Sequence, residues 1–150
     1  MSIENEFILR LAIAAVLGAL VGLERSIAGK HAGMRTYALV SMGSALFVAV
    51  GTLASYQLSL FAGVNPLQIA GSIVIGIGFI GAGLSAVRGE GHAELTTASG
   101  IWVAAGVGMA AGFGLYALAA GATVFALVIF TLLLKVENRI RRTYGVSTDQ

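Results

Sequence analysis

The sequence contains no cysteine and a single proline, and only 11% of its 150 residues are charged. The missing cysteine excludes a disulfide framework, a thiolate metal site and a thiol nucleophile, and leaves the redox compartment unread. The scarcity of charge argues against a water-soluble domain, in which about a quarter of the residues are charged. The net charge of +2 does not point to nucleic acid. The basic residues flank apolar segments instead of forming the solvated stripe that tracks phosphates. The first apolar run does not read as a cleaved signal either. Its leader, Met1 to Glu6, is acidic where a signal peptide needs positive charge.

What the chain has in quantity is apolar residues, at 57%, and 21 glycines set inside the apolar runs. The runs predict an all-α integral membrane protein, one domain over residues 1–150 with five transmembrane helices. The spans are about 7–23, 36–56, 67–87, 95–113 and 115–134, followed by a basic cytoplasmic tail over 135–150. Each has roughly the 17–25 residues needed to cross the hydrocarbon core. Asn65-Pro66 opens the third span well: asparagine can cap, and proline at the first helical position loses no needed hydrogen bond. Gly112-Phe113-Gly114 is the expected turn between spans four and five. The competing reading has four spans with a long kinked last helix.

Charge placement favours five. Arg25, Lys30 and Arg35 lie in the first connection, Arg88 in the third, and Lys135, Arg139, Arg141 and Arg142 in the tail. Five spans put all of these on one side and leave Arg10 alone on the other, free to snorkel toward the interface. The positive-inside pattern then predicts the N-terminus out and the C-terminus in. Spans one–two and three–four are two hairpins of similar plan, a weak suggestion of a parallel repeat.

Several constellations stand out. Ala14, Gly18 and Gly22, and again Ala104, Gly108 and Gly112, are small residues four apart. Such ladders allow close backbone approach, either within one subunit or between subunits. Gly76-Ile77-Gly78-Phe79-Ile80-Gly81-Ala82-Gly83 contains a literal G-x-G-x-x-G. It lies inside an apolar span and lacks the acid about 20 residues on that a dinucleotide site needs. Tight packing through Gly76, Gly78, Gly81 and Gly83, or an unwound helix beside a polar cavity, are the readings that remain. The first connection gathers Glu24, Arg25 and Arg35 at the ends of two adjacent spans, where Glu24 is expected to pair with Arg35. That is either ordinary interfacial charge or a site for a solute, a lipid headgroup or a partner. Glu90, His92 and Glu94 could hold a metal loosely, but form no closed ligand set. Thr96, Thr97 and Ser99 enter a membrane helix; their hydroxyls either bond back to it or face a cavity. No Ser–His–Asp set, catalytic carboxylate pair or nucleotide loop can be assembled, so neither an enzyme nor a cofactor is expected.

Taken in order, these blocks resemble the MgtC/SapB family. Gly18-x-x-x-Gly22-Leu23-Glu24-Arg25, Ala32-Gly33-Met34-Arg35-Thr36-x-Ala38-Leu39-Val40 and Gly43-x-Ala45-Leu46-Phe47 are similar to its opening. Gly76 to Gly83 and Leu95-Thr96-Thr97-Ala98-x-x-Ile101-Trp102 are similar to its second half. The resemblance implies a bacterial inner-membrane protein associated with growth in low magnesium and, in some members, with survival inside host cells. The chain looks like the family's short form, without the soluble C-terminal domain of many members. Glu94 departs from the family, which tends to have glycine there.

Two functions of different class follow as expectations. One is a solute or ion mover with a polar site at Glu24, Arg25, Arg35, Thr36, Thr96, Thr97 and Trp102. The other is a regulator that binds another membrane complex through its glycine-rich faces. A pore dedicated to Mg²⁺ should carry intramembrane carboxylates or rings of oxygen ligands, and the only acid at a span end is Glu24. A homo-oligomer, with a dimer favoured, fits either function.

Overall fold

The computed structural model describes residues 3–57, 65–88 and 91–144, with side chains described except at 56, 57, 66, 85–88, 91–94 and 144. The second connection, the residues Glu90, His92 and Glu94, and the tail beyond Tyr144 therefore lie outside what is described at side-chain level.

Apart from the connections at 28–33, 65 and 113–115, the described residues are helical. The helices are α1 (Ile3–Ile27), α2 (Met34–Gln57), α3 (Pro66–Arg88), α4 (Gly91–Gly112), α5 (Tyr116–Val128) and α6 (Leu134–Tyr144). A π turn over Ile129–Leu133 joins α5 to α6 without a break. Five of the resulting segments are long and apolar enough to cross a membrane, the last running unbroken from α5 into α6. Large apolar side chains such as Leu39, Phe47, Ile75, Phe79 and Phe125 point outward, as they should where the surrounding solvent is hydrocarbon.

The elements begin and end where backbone chemistry dictates. Asn65 caps α3, its Oδ1 accepting from the Leu67 amide at 2.9 Å. Helix α1 closes with Gly29 at φ +67°, and α4 closes with Gly114 at φ +79°. At each closure the amide after the glycine reaches back five residues, Lys30 to the Arg25 carbonyl and Leu115 to that of Ala110. The glycine amides bond Ser26 and Ala111. This is a Schellman closure, which needs a residue that tolerates the left-handed region. It settles the span count, because the chain turns at Gly114 instead of running on as one kinked helix. Inside the spans, hydroxyls bond the preceding turn: Ser44 to Val40, Thr52 to Val48 and Thr123 to Ala119. Each of these hydroxyls thereby finds its acceptor within its own helix.

Helix α2 is held between α1 and α4. A Cβ at Gly18 would stand 2.5 Å from the Tyr37 carbonyl oxygen, and one at Gly22 would stand 2.6 Å from the Met34 Cα. From the other side, a Cβ at Gly108 would overlap the Ser41 carbonyl, and one at Gly112 would come 3.0 Å from the Ala45 Cα. Both small-residue ladders are thus occupied within one chain, by the same helix. Ser41, fully buried, donates to the Ala14 carbonyl at 2.7 Å and ties α2 to α1 at this crossing.

Helix α3 is packed differently. It is the least buried of the five spans. A Cβ at Gly76, Gly78 or Gly83 would meet nothing within 4 Å, and only Gly81 has a neighbour, the Ala98 Cβ of α4 at 3.5 Å. Among the described residues, only Gly81 of the glycine run has a close neighbour. The alternative of an unwound helix is excluded, because α3 is continuous through the run. The two hairpins consequently share a plan in sequence but not in packing.

Candidate functional site at the loop end of the bundle

The end of the bundle nearest the α1–α2 loop carries the chain's buried charge. Arg25 is 3% exposed in the last turn of α1. Its Nε donates to the Glu24 carboxylate, and its guanidinium lies 3.8 Å from the centre of the Phe130 ring. Phe130 reaches this position from the π turn, a wide helical turn that often marks functional sites. Beneath the arginine, Tyr37 is fully buried and donates its hydroxyl to the Thr97 carbonyl at 3.3 Å. Gly100 gives the two aromatic rings room, since a Cβ there would overlap the Tyr37 hydroxyl and come 2.8 Å from the Phe130 Cζ. Elements α1, α2, α4 and the π turn therefore meet on one buried cation, with one carboxylate and two aromatic rings around it. In a low-dielectric interior this arrangement satisfies a charge that would otherwise be costly.

The residues singled out from sequence fall into three groups. Arg25 and Thr97 (2% exposed) are in this buried cluster, with Glu24 at its edge. Arg35 and Thr36 lie outside it, on the first turn of α2. Thr96 and Trp102 face away from the bundle on α4, Trp102 being 53% exposed. The expected Glu24–Arg35 pair does not form, because Glu24 is engaged by Arg25. Helices α2 and α4 begin before the expected spans, at Met34 and Gly91, so Thr36, Thr96 and Thr97 lie inside them. Ser99 bonds back to the Leu95 carbonyl at 2.8 Å. At the opposite end, Arg10 does not snorkel freely. Its Nη1 donates to the Gly112 carbonyl at 2.8 Å, and the side chain also pairs with Glu6.

Tyr37, Gly100 and Phe130 were not singled out from sequence. Tyr37 had a signal, sitting between Thr36 and Ala38 in a block already marked. Phe130 had one too, since it continues the spacing of Ala119, Thr123 and Ala126 along one helix face.

Next to the buried cluster, the surface is concave. An open depression of about 610 Å³ is lined by Ser26, Lys30, His31, Arg35, Thr36 and Leu39, among others. A second, of about 250 Å³, shares His31 and Thr36 with it and continues to Ile80, Leu84 and Ile101. Ser26 shapes the rim by accepting from the Met34 amide at 3.0 Å.

The sequence model of the MgtC family matches residues 11–139. The chain is 42% identical over 137 residues to "Putative magnesium transporter YhiD" of Escherichia coli strain K12, covering 90% of this chain and 64% of that protein. It is 42% identical over 123 residues to protein MgtC of Brucella abortus strain 2308, covering 82% of this chain and 49% of the relative. It is 42% identical over 138 residues to protein SrpB of Synechococcus elongatus, covering 86% and 75%. The chain thus spans under two thirds of the length of YhiD and about half that of the Brucella protein. No solved structure matches it. With five apolar spanning helices and such relatives, it is a multi-pass protein of the bacterial inner membrane. The match along 11–139, most of the chain, makes the chain a member of the MgtC family.

Proposed function

We propose that the chain serves magnesium homeostasis as a membrane regulator, acting by binding and not as a Mg²⁺ conduit. The name of YhiD supplies the link to magnesium. The observation that carries the regulatory reading is the sign of the charge at the loop end. Arg25 is the buried ion there, and Lys30 and Arg35 line the depression beside it. Mg²⁺ requires several oxygen ligands in near-octahedral array. Among the described residues no group of three His, Cys, Asp or Glu side chains comes together. A fixed cation on the route would raise the barrier to a divalent cation further. The interior between α1, α2 and α4 is closed by backbone contact at Gly18, Gly22, Gly108 and Gly112, which supports a solid bundle. A partner or second copy would then meet α3, where Gly76, Gly78 and Gly83 are open.

The test is Mg²⁺ flux into proteoliposomes together with growth in low magnesium. The expected result is restored growth by the intact chain with no flux above protein-free vesicles. Protein-dependent Mg²⁺ flux that is lost in Glu24→Ala would overturn the regulatory reading.

The depression favours a second reading, movement of a small solute through a site at Arg35 and Thr36. It requires that the bundle open at Gly108, where α4 now touches α2. Flux of an anion abolished by Arg35→Ala would support it.

A further inference from the structure

The two depressions at the loop end are adjacent, His31 and Thr36 lining both, and taken together they make a groove that passes from polar to apolar. We infer that this groove is a binding site for one anionic phospholipid, its phosphate held by Lys30 and Arg35 and an acyl chain laid along Ile80 and Leu84. The inference goes beyond the regulatory reading and does not depend on it.

Position is the first argument. The upper depression is built from the end of α1, the loop and the first turn of α2, where two spanning segments leave the apolar zone. That is the depth of lipid headgroups. The second argument is charge. Lys30 and Arg35 have no carboxylate partner among the described residues, and Glu24 is engaged by Arg25. The hydroxyls of Ser26 and Thr36 line the same depression. The N-terminal end of α2 opens on it and adds its dipole. Basic pockets between membrane helices are suited to anionic headgroups.

The third argument is the change of polarity along the groove. Charge that serves only to orient a membrane protein needs neither a concavity nor an apolar extension. Here the groove passes from Lys30 and Arg35 to Ile80, Leu84 and Ile101, toward the sparsely packed helix α3. A free phosphate would use the upper part alone, whereas a phospholipid fills both.

The experiment is native mass spectrometry of the intact chain released from micelles carrying phosphatidylglycerol or phosphatidylcholine. The intact protein should retain phosphatidylglycerol in preference to phosphatidylcholine. In Lys30→Ala/Arg35→Ala the affinity should fall ~25-fold, about fivefold for each cation removed at the membrane surface. The charge-matched control Arg139→Ala/Arg142→Ala, exposed on α6, should retain the lipid. Ile80→Ser should weaken retention without altering the protein's charge. Excess inorganic phosphate should not displace the lipid. Three results would overturn the assignment: no preference in the intact protein, an equal loss in the α6 variant, or displacement by inorganic phosphate, which would mark a free-anion site.

Discussion

Arg25 sits over the Phe130 ring, its Cζ 3.8 Å from the ring centre, although the two residues are on the first helix and the π turn after the fifth. Glu24 binds the same guanidinium. The three side chains form a unit that should respond to mutation asymmetrically. Glu24→Gln removes the countercharge and leaves a buried cation, which costs ~3 kcal/mol or more. Arg25→Met removes the charge and keeps the volume, so it should cost less. The double variant should be milder than the sum of the two. Thermal midpoints in detergent, read as a double-mutant cycle, check this. Strict additivity would mean that the pair is not coupled.

Gly108→Ala and Gly76→Ala are the same chemical change in opposite settings. The first drives a methyl into the Ser41 carbonyl and should destabilise the fold by about 1–3 kcal/mol. The second meets open space on a helix and should be neutral or stabilising by up to ~1 kcal/mol. Thermal midpoints of the two variants compare them directly. Equal losses would place a partner surface against α3.

Arg10→Ala removes the donor that closes the C-terminal end of α4 at Gly112. A hydrogen bond from a charged group is worth about 1.5–3 kcal/mol. The loss should appear locally, as faster hydrogen exchange of the amides at Phe113, Gly114 and Leu115. Arg10→Lys should rescue only in part, since the ammonium cannot reproduce a planar fork that also reaches Glu6. Unchanged exchange in Arg10→Ala would show that the Schellman closure needs no help.

Orientation is open to a direct test, because the chain has no cysteine of its own. Lys30→Cys and Leu115→Cys place single thiols on the loops at opposite ends of the bundle. An impermeant maleimide should label Lys30→Cys only from the cytoplasmic side and Leu115→Cys only from the other. The reverse pattern would invert the proposed topology.

Much of this fold is legible in the sequence, for local reasons. Apolar length specifies the spans, Asn65-Pro66 specifies the start of α3, and the glycine at 114 specifies the turn that separates α4 from α5. The ladders on α1 and α4 are visible as faces of small residues, because four-residue spacing is a property of one helix. What faces them is not local: nothing in the ladders says that both close on α2. The site was legible in part for the same reason. Arg25 and Thr97 were marked, but the Glu24–Arg35 pairing failed, since proximity of two helix ends does not say which cation a carboxylate reaches. The glycines of α3 share the spacing of a packing face, yet only Gly81 has a close neighbour among the described residues. Composition alone does not distinguish a filled surface from an open one.

The π turn at Ile129–Leu133 has one consequence for the chain beyond it. An α-helix advances about 100° per residue, so one residue accommodated in a wide turn resets the phase of everything that follows. The stripe that keeps Ala119, Thr123 and Ala126 against the bundle does not extend into α6 by simple counting. Deleting one residue of the turn after Phe130 would rotate Arg139 and Arg142 about the helix axis relative to the bundle, while Phe130 keeps its place against Arg25. The turn therefore works as a rotary offset, setting the angle at which the basic end of the chain leaves the membrane.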